Sequence, residues 1–263
     1  MQYVLITGAY GGMGRKAVEA FAEAGYGVFA LDRKVEEPQK NVFPIEVDVT
    51  DMQSVQTAYK QVCEKTNELF AILHFAGLYT LDSLVEIEEK EFVGAFDVNV
   101  FGVYRVNKTF LPLLKAGSRV LITTSELAPL DPLPFTGLYA VTKSALDKYA
   151  YSLRMELQLL GISVIVLRPG AVDTGMLGVS TAKLDAFCDT TKLYTCNAAR
   201  FKGIVEKVEA RKILPQKIAK KALKIVQKRK PKYVYTVNRN PLLLLLNVLP
   251  QRLQTWIIKQ ILK

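Results

Sequence analysis

The chain of 263 residues is poor in several things, and each scarcity excludes something. It has one histidine, His74, and three widely separated cysteines, Cys63, Cys188 and Cys196. An odd, scattered set of cysteines carries no disulfide framework and points to a reducing, cytoplasmic compartment. So few histidines and cysteines also leave a His/Cys metal centre almost without ligands, and no metal is expected. Even the apolar run Leu242–Leu246 is far short of the roughly 20 residues a spanning helix needs. The start, Met1-Gln2-Tyr3-Val4-Leu5-Ile6, has neither the charged nor the apolar stretch of a signal peptide. Acids are scarce in one place. Residues 200–263 hold 17 Lys or Arg against Glu206 and Glu209 alone, a local charge of +15, while residues 1–199 hold 18 basic and 23 acidic residues, a balance of −5. The net charge of +10 therefore belongs to the last quarter of the chain.

What is present is a globular composition, 50% hydrophobic and 23% charged, which excludes a disordered or collagen-like chain. Short β-rich runs alternate with helical patterns. Strands are expected at 4–6, 28–31, 42–47, 69–75, 119–123, 162–167 and 233–236. Between them, helices are expected at 13–24, 51–67, 88–114 and 137–160, with a further one at 215–229. The strands are continuous apolar runs and do not alternate, which suits strands covered on both faces. Strand–helix alternation of this kind implies right-handed crossovers and an α/β fold with a doubly wound parallel sheet of seven strands. No linker or repeat divides the chain. One domain over 1–238 and a helical appendage over 239–263 are expected.

Thr7-Gly8-Ala9-Tyr10-Gly11-Gly12-Met13-Gly14 lies between the first strand and the first helix. Glycines let the backbone approach a ligand closely, and the free N–H groups of a helix start favour a pyrophosphate. Asp32 ends the second strand at the spacing where an acid accepts bonds from an adenosine ribose. A 2′-phosphate at about 4–5 Å from that carboxylate would cost on the order of 3–4 kcal/mol at an effective dielectric near 20. Arg33 offsets part of this, so NAD(H) is favoured and NADP(H) is allowed. Tyr139 and Lys143 are an i, i+4 pair on one helical face. A tyrosine pKa near 10 must fall by about three units to give a base at neutral pH, which needs about 4 kcal/mol. One ammonium at about 4 Å supplies about that much. Ser125 ends the preceding strand and can reach the same substrate oxygen; Thr124 is the alternative hydroxyl.

Thr-Gly-x-x-x-Gly-x-Gly at 7–14, Asp48-Val49, Ala76-Gly77, Asn99, Ser125, Tyr139/Lys143 and Pro169-Gly170 follow the order seen in short-chain dehydrogenases/reductases, and the chain resembles that family from residue 1 to about 236. The resemblance implies a Rossmann-type fold and hydride transfer between a nicotinamide and a carbinol carbon. Tyr139 would be the acid/base, with Ser125 polarising the carbonyl and Lys143 tuning the tyrosine and holding the nicotinamide ribose. Asn99 would support a proton relay. Thr7, Gly8, Gly12, Met13, Gly14, Asp32 and Arg33 would hold the adenosine and pyrophosphate, Asp48 and Val49 would lie beside the adenine, and Ala76 and Gly77 would line the ribose passage. Pro169, Gly170, Val172 and Thr174 would hold the carboxamide. Two departures stand out. His74 replaces a usual Asn, where a core hydrogen bond is expected, and the Ser125–Tyr139 spacing is one residue longer than usual, with Pro129, Pro132 and Pro134 between.

The segment at about 175–214 is expected to cover the substrate. Met176, Leu177, Phe187, Tyr194 and Phe201, with Leu130, Leu133 and Phe135, suggest an apolar pocket for a steroid-, retinoid- or lipid-like alcohol or ketone. Helix 215–229 puts Ile218, Ala222, Ile225 and Val226 on one face and Lys217, Lys220, Lys221, Lys224 and Lys228 largely on the other. No aromatic platform interleaves these lysines, so nucleic acid is not expected as a partner. The tail is apolar over 241–249, breaks at Pro250 and continues with Leu253, Trp256, Ile257, Gln260 and Ile261 at helical spacing beside Arg252, Lys259 and Lys263. Such a helix suits a membrane interface, the substrate mouth or a second subunit. The resemblance also implies a homodimer or homotetramer built on the helices at 88–114 and 137–160. The competing readings are an NADP-dependent reductase of small ketones, a dinucleotide-binding regulator without turnover, and a basic interaction module.

Overall fold

A computed structural model of the chain describes residues 1–209 and 211–263, apart from the side chains of 176–181 and 208–209. Seven strands form one parallel sheet: β1 (Tyr3–Thr7), β2 (Gly27–Asp32), β3 (Val42–Glu46), β4 (Leu69–His74), β5 (Leu114–Thr123), β6 (Ser163–Pro169) and β7 (Val234–Val237). Their spatial order is β3-β2-β1-β4-β5-β6-β7. The order reverses between β1 and β4, the switch point at whose carboxyl side a ligand crevice opens.

Both faces of the sheet are covered, which is why its strands carry apolar residues at successive positions. Val4, Ile6, Val28, Ala30, Ala71 and Leu73 face a core with Ala17, Phe21, Ile218 and Ile225, supplied by α1 (Gly12–Glu23) and α8 (Pro215–Val226). Leu5, Phe29, Leu31 and Ile72 face the opposite core. That one is built by α2 (Met52–Cys63), α4 (Gly102–Phe110) and α5 (Gly137–Leu157). The lysines of α8 stay on its outer side while Ile218, Ala222, Ile225 and Val226 are buried, as expected of an amphipathic helix.

Two elements differ from expectation. The helix expected over 88–114 is α3 (Glu89–Phe96), a π turn (Asp97–Phe101), α4 and a short 3₁₀ turn (Leu111–Leu113). The π turn holds Asn99, whose side-chain bonds pull the helix open, and Pro112 lacks the N–H needed to continue it. Strand β5 begins at Leu114 rather than Arg119 because its pairing restarts: Leu69 faces Leu114, and Ala71 faces Arg119. Gly117 (φ +96°) and the Ser118 hydroxyl, which donates to the Leu69 carbonyl at 2.8 Å, close the bulge.

Beyond β6, α6 (Gly175–Thr190) and α7 (Thr195–Glu209) form the segment expected to cover the site. A third apolar cluster joins them to the body through Leu81, Phe135, Leu184, Phe187, Phe201 and Leu262. The tail comprises α9 (Pro241–Val248) and α10 (Gln251–Leu262). Leu262 lies in that cluster and its carbonyl accepts from Asn197 Nδ2, so the tail folds back over the lid helices.

Candidate active site

The expected dinucleotide residues lie in sequence along the carboxyl ends of neighbouring strands: Thr7 and Gly8 after β1, Asp32 and Arg33 after β2, Asp48 and Val49 after β3, Ala76 and Gly77 after β4. The glycines are demanded by space. Gly8 has φ +66°, and a Cβ there would stand 2.5 Å from the Ala76 nitrogen. A Cβ on Gly12 would stand 2.5 Å from Cβ of Thr174, and one on Gly14 would collide with the Gly8 carbonyl. Gly11 caps α1 with no side-chain bond, so the first-turn amides at Gly12, Met13 and Gly14 have no intrahelical acceptor. This cradle fits an anionic pyrophosphate.

Asp32 accepts from the Tyr10 amide at 2.9 Å and the Arg33 amide at 2.8 Å, which ties the end of β2 to the glycine-rich loop. Asp48 accepts from the Thr50 amide at 2.9 Å and the Thr50 hydroxyl at 2.7 Å. Its burial raises the carboxyl pKa, but the two Thr50 bonds and the charges of Arg33 and Arg105 outweigh this and leave it below the usual range. Arg33 thus acts on Asp48 as well as flanking Asp32.

Ser125, Tyr139 and Lys143 meet in a cavity of about 180 Å³ at the carboxyl ends of β4, β5 and β6. The Ser125 hydroxyl bonds the Tyr139 phenol and accepts from the Leu127 amide at 3.2 Å. Lys143 Nζ donates to the Thr123 carbonyl at 3.2 Å and lies 5.7 Å from the centre of the Tyr139 ring. The electrostatics differ from the expectation of an activated phenolate. Burial pushes the Tyr139 phenol up to about 12, against the Ser125 bond, and the charge of Glu126 adds to the rise. Burial also brings Lys143 down to about 8. At neutral pH the phenol is a protonated acid aimed at the cavity, and the lysine beside it is charged.

Asn99 is buried in the π turn. Its Oδ1 accepts from the Leu78 amide at 2.7 Å, and its Nδ2 donates to the Leu78 carbonyl and the Thr142 hydroxyl, each at 3.0 Å. It fastens the loop after β4 to α5. His74 is buried away from the cavity, where its Nε2 donates to Asn107 Oδ1 at 2.8 Å. Burial depresses its pKa to about 4. The Thr124 hydroxyl is turned toward Asp147 Oδ1, 3.4 Å away, which leaves Ser125 as the hydroxyl beside the tyrosine.

Met13, Gly77, Pro169, Gly170, Val172 and Thr174 line the cavity with Ser125, Tyr139 and Lys143. Of the apolar residues expected in the pocket, Leu133 and Phe201 line it. Phe135 and Phe187 instead pack with each other at 5.0 Å between ring centres in the lid cluster, with Tyr194 5.2 Å from Phe135, and Leu130 lies outside the cavity wall. These aromatics need one another to bury their rings. Met176 and Leu177 lie outside the described side chains. Sequence reasoning missed several wall residues, among them three that shape the site. Tyr79 stacks edge-on against Tyr139 at 4.6 Å, Glu126 is buried beside Ser125, and Leu243 comes from the tail. An acid directly after Ser125 was a visible signal for Glu126; the other two depend on tertiary packing.

The short chain dehydrogenase family profile matches residues 2–185. A 3-ketodihydrosphingosine reductase of Bacteroides thetaiotaomicron is 28% identical over 233 residues, covering 88% of this chain and 86% of that protein. An NADPH-dependent 1-acyldihydroxyacetone phosphate reductase of Schizosaccharomyces pombe is 30% identical over 179 residues, 66% of this chain and 60% of that protein. A short chain dehydrogenase/reductase of Burkholderia phymatum, solved in complex with NAD, superposes with a TM-score of 0.77 over 95% of this chain and 93% of that one, at 21% identity. Profile, sheet order and glycine-rich cradle agree, and the chain belongs to the short-chain dehydrogenase/reductase family.

Proposed function

We propose that this oxidoreductase interconverts a hydrophobic ketone and its alcohol, with a steroid-, retinoid- or lipid-like substrate. The observation that carries the reading is the convergence of Ser125, Tyr139 and Lys143 on one mostly apolar cavity. A bound nicotinamide dinucleotide would supply or accept the hydride. Ser125 is placed to hold the substrate oxygen, and the Tyr139 phenol to give it a proton as it becomes a hydroxyl. The protonated phenol is the form that gives a proton in carbonyl reduction, and the net direction follows from the cofactor and substrate ratios. Lys143 keeps a positive charge beside that proton donor and would hold the ribose of a bound cofactor. Asp32 supports NAD(H) as the preferred cofactor. Arg33 leaves NADP(H) open, and the KM for each cofactor decides between them.

Tyr139→Phe removes the proton donor and keeps the ring. Turnover is expected to fall by at least about a hundredfold while NADH binding, read by fluorescence titration, stays intact. Near-normal turnover overturns the assignment of Tyr139, whereas dinucleotide binding without turnover in the wild type favours a regulator that only binds dinucleotide. Two outward surfaces complete the reading. On α9 and α10, Leu242, Leu245, Val248 and Trp256 are exposed near Arg252 and Lys259, a face suited to peripheral contact with an anionic membrane. On α4 and α5, Tyr104, Val141, Tyr151 and Met155 are exposed, which supports a homodimer or homotetramer joined there.

A further inference from the structure

Glu126 is out of keeping with its surroundings. It is only 7% exposed and lines the cavity beside Ser125, where the walls are otherwise mainly apolar, including Leu127, Leu133, Ile204, Val205 and Leu243. One carboxylate oxygen, Oε2, accepts from the Asn240 amide at 2.6 Å at the start of α9. The other, Oε1, has no hydrogen-bond partner among the described residues. It lies against Gly170, where a Cβ would stand 2.8 Å from it. Lys143, the cavity's ammonium, bonds the Thr123 carbonyl instead. The charge of Arg239, at the start of the tail, acts on the carboxylate. Oε1 is not sealed off, so a ligand in the cavity can reach it.

We propose that Glu126 is a substrate-recognition residue that receives an ammonium group carried close to the reacting carbonyl, so that the preferred substrate is a long-chain amino ketone. This rests on the reading of the site as a ketone reductase and names the substrate class within it. In that reading Ser125 and Tyr139 take the carbonyl oxygen. The next residue along the chain presents a negative charge, so an amine on the carbon beside the carbonyl would meet Glu126 as the alkyl chain runs along the apolar wall. The field of Glu126 already reaches the phenol, since its charge raises the Tyr139 pKa. A cationic amine would cancel that field and ease proton donation only when the right substrate is bound. A plain ketone or a fatty acyl group offers the carboxylate nothing, and an anionic headgroup would be repelled.

Glu126→Gln tests the charge without releasing the tail, because the amide oxygen of glutamine still accepts from the Asn240 amide. A long-chain alkylammonium and the alcohol of the same chain, both below their micelle concentrations, are titrated against the protein loaded with NAD. The wild type is expected to bind the ammonium at least about tenfold more tightly, the lower end for a charge-assisted bond in a buried site. The Gln variant should erase the difference. Equal affinities in the wild type, or a preference that survives in Glu126→Gln, overturn the proposal. Turnover is read separately, with an α-amino ketone and the matching ketone without the amine. If neither is reduced while the ammonium preference depends on Glu126, the ketone reductase reading fails and the recognition site stands. If both are reduced with equal kcat/KM, the reductase stands and the role of Glu126 is lost.

Discussion

Lys143 carries a charge that the fold disfavours, and that makes stability and function separable at one residue. Its folded pKa of about 8 lies below the ordinary 10.5, so the native state binds fewer protons than the unfolded chain between those values. Stability linked to Lys143 therefore rises with pH through that window, and at pH 7 the buried ammonium is a burden of roughly 3 kcal/mol at most. Lys143→Met is expected to raise the unfolding free energy at pH 7, flatten that alkaline rise and abolish turnover. Denaturant titrations at pH 7 and pH 10 check this, and a loss of stability at pH 7 would show that the bond to the Thr123 carbonyl matters more than desolvation. His74 is the mirror case on the acid side. Burial lowers its pKa from 6.5 to about 4, so the stability of the neutral form is whole above pH 6.5 and is lost as pH falls toward 4, about 3 kcal/mol in all. His74→Asn should flatten the fall in Tm across that range. The pairing of Lys143 with Tyr139 was legible from i, i+4 spacing, and the core hydrogen bond of His74 from the Asn it replaces in the family pattern. The sign of the tyrosine shift was not. A charge four residues away is read from spacing, whereas burial by Tyr79 and the field of Glu126 come only from the assembled cavity.

At the scale of elements, the glycine-rich turn and the strand ends behave as local sequence rules demand, and the departures lie where distant segments meet. Gly12 is a case of both: it opens α1, as its position suggests, but what forbids a side chain there is Thr174, far along the chain beyond β6. Gly12→Ala must push Thr174 aside. The KM for the dinucleotide is expected to rise more than about tenfold with the fold kept, and an unchanged KM would mean that the two loops separate at little cost. The tail shows the same dependence on context. Its apolar and helical pattern was readable; its partners were not, because Asn240 meets Glu126, Leu243 the cavity and Leu262 the lid cluster, all far away along the chain. Deleting residues 239–263 would take away a cavity wall, the Glu126 bond and an anchor of the lid cluster together. A milder probe is Leu262→Ala, expected to cost about 2 kcal/mol as a core truncation near the surface. It should raise the KM for hydrophobic substrates, which steady-state kinetics beside thermal unfolding would separate from a general loss of stability.

Over the whole molecule, the charge divides the chain in a way that the fold explains. The lysines of α8 cover the outer side of the layer that α8 shares with α1, whereas Arg252, Lys259 and Lys263 flank the exposed apolar face of the tail. Among the described residues no helix is long and apolar enough to cross a membrane. The proposed contact with a bilayer uses that face, with Leu245 (64% exposed) and Trp256 (58%) as its apolar contacts. Because the inner side of the tail holds the cavity, truncation would confuse binding with damage, and the informative variants lie on the outer side alone. Partial insertion of Leu245 and Trp256 is worth about 2 kcal/mol together, or roughly thirtyfold in partition. In flotation with vesicles containing phosphatidylserine, the full chain is expected to rise with the lipid and to be released as salt screens the basic residues. Leu245→Asp/Trp256→Asp should stay at the bottom of the gradient while its thermal unfolding is unchanged. Equal flotation of the two proteins would remove the tail from membrane contact and return its exposed face to a second subunit, which light scattering would then show as a loss of the oligomer in the same variant.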